Sequence, residues 1–411
     1  MPRTRVLIPC LILLLMGEAV AAPLDRDEVL RLARERSVAI QVARAEVDRA
    51  AGELRTARTW RHNPELDVEA GPRRGPDGET WDRSIGLSQR LDLAGRGARI
   101  DAAGAEHAAA RDRSRAIAVT VLSEAACYHL EALHAAQRRR LAGQSVDLHQ
   151  RLLEIARRRH EAGETGTLDV HRASVAAARA RMRLATAEAA EQERLTRLAT
   201  LLALEPGCPI EVAGDLAWPL PGDVARVQAA VAAHPELDAL DARLREAEAL
   251  VRVAGAARWP EVGLGARIGR EEEADVLRFG LSLGLPVFDR GAGDRAVATA
   301  AGRIAAIELE TARRVRTDRA LRAWARHREL AATLAAAGES VTAAVDASGR
   351  LSQESYRLGE IPLDRVLLVQ RDNLEARNEL NDLRLTAALA ALEVAEIAAL
   401  PPLAAATEVS R

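Results

Sequence analysis

The sequence predicts a mainly α-helical chain with a small β part, its body built twice over on one plan. Three observations carry this. Long Ala/Arg/Glu-rich tracts run with helical periodicity. Two stretches break that texture with the strict alternation of β-strands. The third observation is internal repetition. Pro64 and Pro260 stand 196 positions apart, and so do the pairs Gly163-Glu164 and Gly359-Glu360. Ala142-Gly143-Gln144-Ser145-Val146 returns 195 positions later as Ala337-Gly338-Glu339-Ser340-Val341. Three ordered matches at nearly one offset indicate tandem duplication.

The N-terminus reads as a secretory signal peptide over residues 1–21. Arg3 and Arg5 form the charged start, residues 6–16 the apolar core, and Ala19-Val20-Ala21 a small-residue cleavage box. The apolar core is too short to span a membrane as a helix. Cys10 lies inside it, so it does not read as a lipid attachment site. Cys127 and Cys208 remain, and nothing in the sequence pairs them.

The first repeat covers residues 22–204. Asp25 caps a short helix to about residue 36, and a second helix runs over about 38–61. A hairpin over about 65–91 follows. Leu66, Val68 and Ala70 alternate with Glu65, Asp67 and Glu69; Ile85, Leu87 and Leu91 alternate with Ser84, Gly86 and Arg90. The strands are expected at 65–70 and 83–91, with a polar, turn-rich loop between. A long helix over about 99–160 carries Leu141, Leu148, Leu152 and Ile155 at coiled-coil spacing. A turn at 161–167 leads to a helix over 168–204.

Residues 205–222 are Pro/Gly-rich and read as a connector. The second repeat, 223–400, follows the same order. A short helix ends before His234-Pro235, and a second covers 236–258. A hairpin follows over about 261–288: Val262, Leu264, Ala266 and Ile268 alternate with Gly263, Gly265 and Arg267, then Phe279, Leu281, Leu283 and Leu285 with Gly280, Ser282 and Gly284. A long helix over about 293–357, a turn at 358–362 and a helix over 363–400 complete it. Residues 401–411 read as an unstructured tail. In each half, two shorter helices end to end match one long helix, giving a column roughly 90–100 Å long at 1.5 Å per residue.

Composition excludes several functions. The net charge is -2 and every basic residue is arginine, so no basic excess points to nucleic acid. No G-x-S-x-G, H-E-x-x-H, C-x-x-C or phosphate-loop signature appears, so no catalytic residues and no cofactor are expected. His160 and His171 flank the first turn, and Cys127, His129 and His134 share one helix, but neither set converges as three or four metal ligands must. Both read as ordinary helix residues, with no metal site.

Four strands with two free edges need partners. An exported chain with no apolar helical span is either soluble outside the cytoplasm or crosses an outer membrane as a barrel. The polar alternates Glu65, Asp67, Glu69 and Arg267 suit a water-filled lumen. Trp60, Trp81, Trp259, Phe279 and Phe288 lie in or beside the strands, five of only nine aromatics, as membrane-interface anchors do.

The duplicated helix–hairpin–long helix–turn–helix plan resembles the TolC-like outer-membrane efflux proteins over nearly all of the mature chain. The turn sequences EAGETGTLDVHRA (161–173) and YRLGEIPLDRVLLVQ (356–370) carry it further, the second resembling the CzcC-type heavy-metal branch. The resemblance implies a homotrimer in which three chains give four strands each to a 12-stranded barrel, above a helical tunnel across the periplasm. It implies a periplasmic adaptor and an inner-membrane pump of the resistance-nodulation-division type as partners, and outer-membrane lipid around the barrel. The helical turns become the periplasmic tips, with Gly163, Glu164, Gly359 and Glu360 as docking residues. Some members narrow the entrance with aspartates six residues after the second glycine. Here that position is Arg365, next to Asp364, and Asp169 holds the equivalent place in the first repeat. An acidic ring is therefore not expected; Asp169 and Arg365 either pair across the entrance or stand as solvated charges. The competing readings are a non-conducting periplasmic coiled-coil protein and the same fold serving protein secretion.

Overall fold

Eight helices and four strands follow the duplicated order in a computed structural model that describes residues 23–75, 78–205, 207, 209–220, 222–271 and 274–403. The expected signal peptide, Cys10, Cys208 and residues 404–411 lie outside the described residues. In the first repeat α1 spans Arg26–Arg36, α2 Val38–Arg58, β1 Glu65–Gly75, β2 Gly78–Leu91, α3 Arg96–Glu161 and α4 Thr167–Leu201. In the second, α5 spans Val224–Ala232, α6 Pro235–Ala256, β3 Glu261–Glu271, β4 Ala274–Gly284, α7 Ala292–Arg357 and α8 Leu363–Ile397. Asp25 caps α1 by accepting from the Glu28 N–H at 2.8 Å, and Asp223 caps α5 from the Ala225 N–H at 2.9 Å.

Both long helices have 66 residues, and both tip-side helices have 35. At 1.5 Å per residue each long helix extends about 100 Å. α3 packs against α2, α4, α6 and α8, while α7 packs against α6 and α8. The wall therefore reads, side by side, as α2 stacked on α4, then α3, then α6 stacked on α8, then α7. Arg316 of α7 ties the second stack at its joint. It donates to the Ile397 carbonyl at 3.0 Å and pairs with Glu236. α3 contains an 18-residue window apolar enough to cross a membrane, but 61% of that window is buried among the other helices.

The main core is a belt around the middle of the long helices. Val29 and Leu32 of α1, Val119 and Leu122 of α3, Leu198 of α4, Val227 of α5 and Ala320 of α7 meet there. Two expectations are corrected here. The Pro/Gly-rich connector does not merely link: Trp218 is buried in the belt with the Arg26 guanidinium 5.7 Å above its ring, and Val212 bridges to Leu24. Residues 401–403 are not an unstructured tail either, because Leu403 is fully buried in the same core.

The four strands form one antiparallel sheet in the order β1-β2-β3-β4. They outrun the sequence expectation. The supposed loop after Ala70 continues β1 to Gly75 and starts β2 at Gly78, with Pro72 opposite Trp81. Proline is tolerated because β1 is an edge strand. The second hairpin stops at Gly284, so Phe288 lies past the strand end. Helix ends also shift by a few residues. α4 and α8 stop at Leu201 and Ile397, three residues early, because Ala203 and Ala399 turn left-handed at φ 48° and 45°.

Candidate functional site

The sheet sorts its side chains by parity. One face carries, row by row across the strands, Leu91, Val262 and Leu283; Gln89, Leu264 and Leu281; Leu66, Leu87, Ala266 and Phe279; and Val68, Ile85, Ile268 and Leu277. Most of these large side chains are more than half exposed, with Phe279 at 81% and Leu281 at 67%. The next row on this face, Ala70, Arg83, Arg270 and Asp275, is charged, and Trp81 follows two residues further. The apolar rows thus cover about 20 Å along the strands at 3.3 Å per residue. A barrel's lipid-facing band is about 25 Å tall. The opposite face is polar and ion-paired: Glu69 accepts from Arg267 at 2.6 Å and Glu65 from Arg90 at 2.7 Å.

The five aromatics divide. Trp60 and Trp259 stand just before β1 and β3, Phe288 just after β4, and Trp81 near the far hairpin end. Phe279 sits mid-strand among the apolar rows, so its position is that of a band residue rather than an interfacial anchor.

At the opposite pole the two helical turns are near copies. Gly163 and Gly359 adopt φ +78° and +80°, where a Cβ is strained. The Glu164 N–H donates to the Arg159 carbonyl and the Glu360 N–H to the Ser355 carbonyl, both at 2.8 Å, closing each long helix as a Schellman turn. Gly166 and Pro362 then start α4 and α8 with the same extended backbone. A small core joins the two hairpins: Leu152 and Ala156 of α3, Ala173 of α4, Tyr356 of α7, Leu363 and Val366 of α8.

Arg159 is the link the sequence reading missed. Its guanidinium donates to Glu164 Oε2 at 3.1 Å and to the Tyr356 carbonyl at 3.3 Å, and lies 5.3 Å from the Tyr356 ring centre. Burial raises the Tyr356 phenol above its ordinary pKa, with Arg159 opposing. The available signal was composition: Tyr356 is one of two tyrosines and stands three residues before a turn glycine.

Asp169 lies in the first turn of α4 and Asp364 in the first turn of α8, where the helix dipole favours an anion. Arg365 occupies α8's first turn against that dipole. Neither Asp169 nor Arg365 has an ion-pair partner within the protomer among the described residues, and Arg365 is exposed. The histidines near the helices serve local roles. His129 bonds the Leu24 carbonyl at 3.1 Å, His134 bonds Asp382 at 2.7 Å, and His160 bonds the Thr165 carbonyl at 2.8 Å. Burial, with Glu131 next, pushes the Cys127 thiol up to about 11, so it stays protonated.

Comparison with known proteins places this arrangement. The family model described as outer membrane efflux protein matches residues 29–204 and 227–399. The pyoverdine export outer membrane protein OpmQ of Pseudomonas aeruginosa is 30% identical over 191 residues, 43% of this chain and 39% of that protein. The cobalt-zinc-cadmium resistance protein CzcC of Cupriavidus metallidurans is 28% identical over 278 residues, 67% of this chain and 66% of that protein. The matches thus span less than two thirds of either relative. A solved structure of CusC, described in terms of folding and transmembrane channel formation, overlays with a TM-score of 0.74 at 17% identity, covering 91% of both chains. With its sheet in the outer membrane and its helical body in the periplasm, the chain belongs to the outer membrane efflux protein family.

Proposed function

We propose that this chain is the outer-membrane conduit of a tripartite efflux assembly, working as a homotrimer with a periplasmic adaptor and an inner-membrane pump of the resistance-nodulation-division type. The observation that carries the reading is the unfinished sheet. β1 and β4 are both free edges, and they run in opposite directions. Setting β4 of one copy beside β1 of the next keeps every neighbour antiparallel, and three copies give a 12-stranded ring of a size that leaves a lumen. The apolar face then meets lipid and the Glu65, Glu69 and Arg267 face lines water. The protein supplies a passage and no chemistry, so energy comes from the pump.

The cargo is small solutes or metal ions. CzcC's name favours divalent cations such as zinc, cobalt and cadmium. Gly163, Glu164, Gly359 and Glu360 form the adaptor-facing tips, because their turns are the most distal backbone. Asp169 and Arg365 hold equivalent places in the two repeats. A trimer therefore carries six charges of alternating sign around its entrance, able to pair and hold it shut.

Purified protein in planar bilayers tests the conduit. Discrete conductance steps from a trimer are expected; a soluble, non-conducting product overturns the reading in favour of a structural coiled-coil protein. Gene deletion in the host should lower tolerance to zinc, cobalt or cadmium. Unchanged metal tolerance with altered drug or siderophore export moves the cargo assignment and leaves the conduit standing.

A further inference from the structure

We propose a binding site for the phosphodiester headgroup of an anionic phospholipid at the junction of the second hairpin and α7. A cavity of about 1050 Å³ opens there between the end of α6, the segment after β4 and the first three turns of α7. Arg258, Arg290, Arg295 and Arg303 line it. None of the four has a carboxylate partner among the described residues; Arg258 lies 5.7 Å from the Trp259 ring centre. The apolar part of the wall includes Leu285 and Val287, both more than 60% exposed. Leu285 continues the parity of Leu281 and Leu283, so the cavity opens on the same face as the lipid-facing rows. The site lies at the periplasmic foot of the sheet, at the depth of inner-leaflet headgroups. Unpaired guanidiniums are suited to phosphate through paired, charge-assisted hydrogen bonds, and a tryptophan beside them suits the membrane interface.

The duplicated chain provides an internal control. At the 196-residue repeat offset, Leu91-Asp92-Leu93-Ala94-Gly95-Arg96-Gly97-Ala98-Arg99 corresponds to Val287-Phe288-Asp289-Arg290-Gly291-Ala292-Gly293-Asp294-Arg295, with Gly95 and Gly291 each preceding a long helix. In the first repeat the arginines are occupied. Arg99 pairs with Asp92, and Arg96 donates to the Arg58 carbonyl at 2.8 Å while lying over the Trp60 ring at 5.0 Å. In the second repeat Arg295 holds the place of Arg99, and Phe288, fully exposed, stands where Asp92 does, so the acid that pairs with Arg99 has no counterpart. The same junction is self-neutralised in one copy and left cationic, with an apolar flank, in the other. This inference needs only the sheet's place in the outer membrane, and its failure leaves the conduit reading untouched.

The test is native mass spectrometry of the full-length assembled protein, delipidated and titrated with phosphatidylglycerol or phosphatidylcholine. The intact protein should retain phosphatidylglycerol in preference, and Arg290→Gln with Arg295→Gln should weaken that binding about tenfold. Arg96→Gln in the first repeat should leave it unchanged. Phe288→Asp, which restores the acid of the first repeat, should abolish the preference while leaving all four arginines in place. Three results overturn the proposal: equal loss on Arg96→Gln, which indicates general interface charge; full competition by inorganic phosphate, which indicates a free-anion site; and unchanged lipid binding with weakened trimers, which assigns the arginines to a neighbouring copy.

Discussion

The mid-body belt and the four-stranded sheet use the same apolar residue types in opposite ways. In the belt Leu122, Leu198 and Val227 are almost wholly buried, each covered by helices of both repeats or by the connector. In the sheet Leu281 and Phe279 stay mostly exposed, with no other element among the described residues covering them. The belt is finished by the chain itself, whereas in the proposed assembly the sheet is finished by lipid and by further copies. The same leucine therefore stabilises folding of the protomer in one place and insertion in the other.

Substitutions should separate the two regions. Leu122→Ala is expected to cost about 2–5 kcal/mol, the range for a large-to-small change in a packed core. Denaturant unfolding followed by helical circular dichroism should show it, in detergent and in bilayers alike. Phe279→Arg should cost about 2–4 kcal/mol only when the sheet is in a bilayer, because a cation near mid-depth of the lipid face is penalised there. Its signature is impaired barrel insertion with unchanged helical unfolding. Equal loss in both assays would mean that the sheet packs on protein after all.

The contrast also explains what the sequence could disclose. Alternation at 262–268 and 279–285 was legible because an exposed apolar face and a polar face leave a period of two. The strand extensions were not, because Pro72, Gly71 and Gly75 look like loop residues, and a hairpin rising past the apolar rows no longer needs alternation. The belt was hidden for the opposite reason. Trp218 and Leu403 sit in Pro-rich stretches with no periodicity, and only contacts across most of the chain reveal what they bury against. At the tips Gly163 and Gly359 were readable from the repeat offset, but Arg159 meets Tyr356 across 197 positions, which no local pattern records.

Left-handed caps compare the two ends of the tip-side half. Glycine holds them at 163 and 359, alanine at 203 and 399. Gly163→Ala and Gly359→Ala should each cost about 1–2 kcal/mol, the left-handed penalty for a residue with a Cβ. Ala203→Gly should gain up to about 1 kcal/mol by releasing the same strain, offset by the freer unfolded chain. Thermal unfolding of single variants measures both. At the tip, Gly359→Val should also weaken adaptor engagement in cells while the barrel stays assembled, since its Cβ approaches Arg159 Nη2 at 3.3 Å. Unchanged export would count against the tip as the docking surface.

The smallest effects concern pH, where a buried histidine and a half-buried glutamate of the helical body act with opposite sign. His234 caps α6, its Nδ1 accepting from the Glu236 N–H at 3.1 Å, and burial, with Arg316 next, lowers its pKa from 6.5 to about 4. The folded state therefore binds fewer protons than the unfolded one between those values, so this contribution is present above pH 6.5 and lost as pH falls towards 4. Glu246 of α6 behaves the other way. Burial, then a hydrogen bond with Glu106, raises its pKa from 4.5 to about 7. There the folded state binds more protons, so stability falls as pH rises from 4.5 to 7. Over the shared range the two slopes oppose each other and the intact protein should show a shallow dependence. His234→Asn keeps a capping side chain and removes the titration, which should leave stability declining with rising pH. Glu246→Gln should leave it climbing. Denaturant midpoints at several pH values check both, and parallel slopes in the two variants would show that neither group is set by its burial in the helical wall.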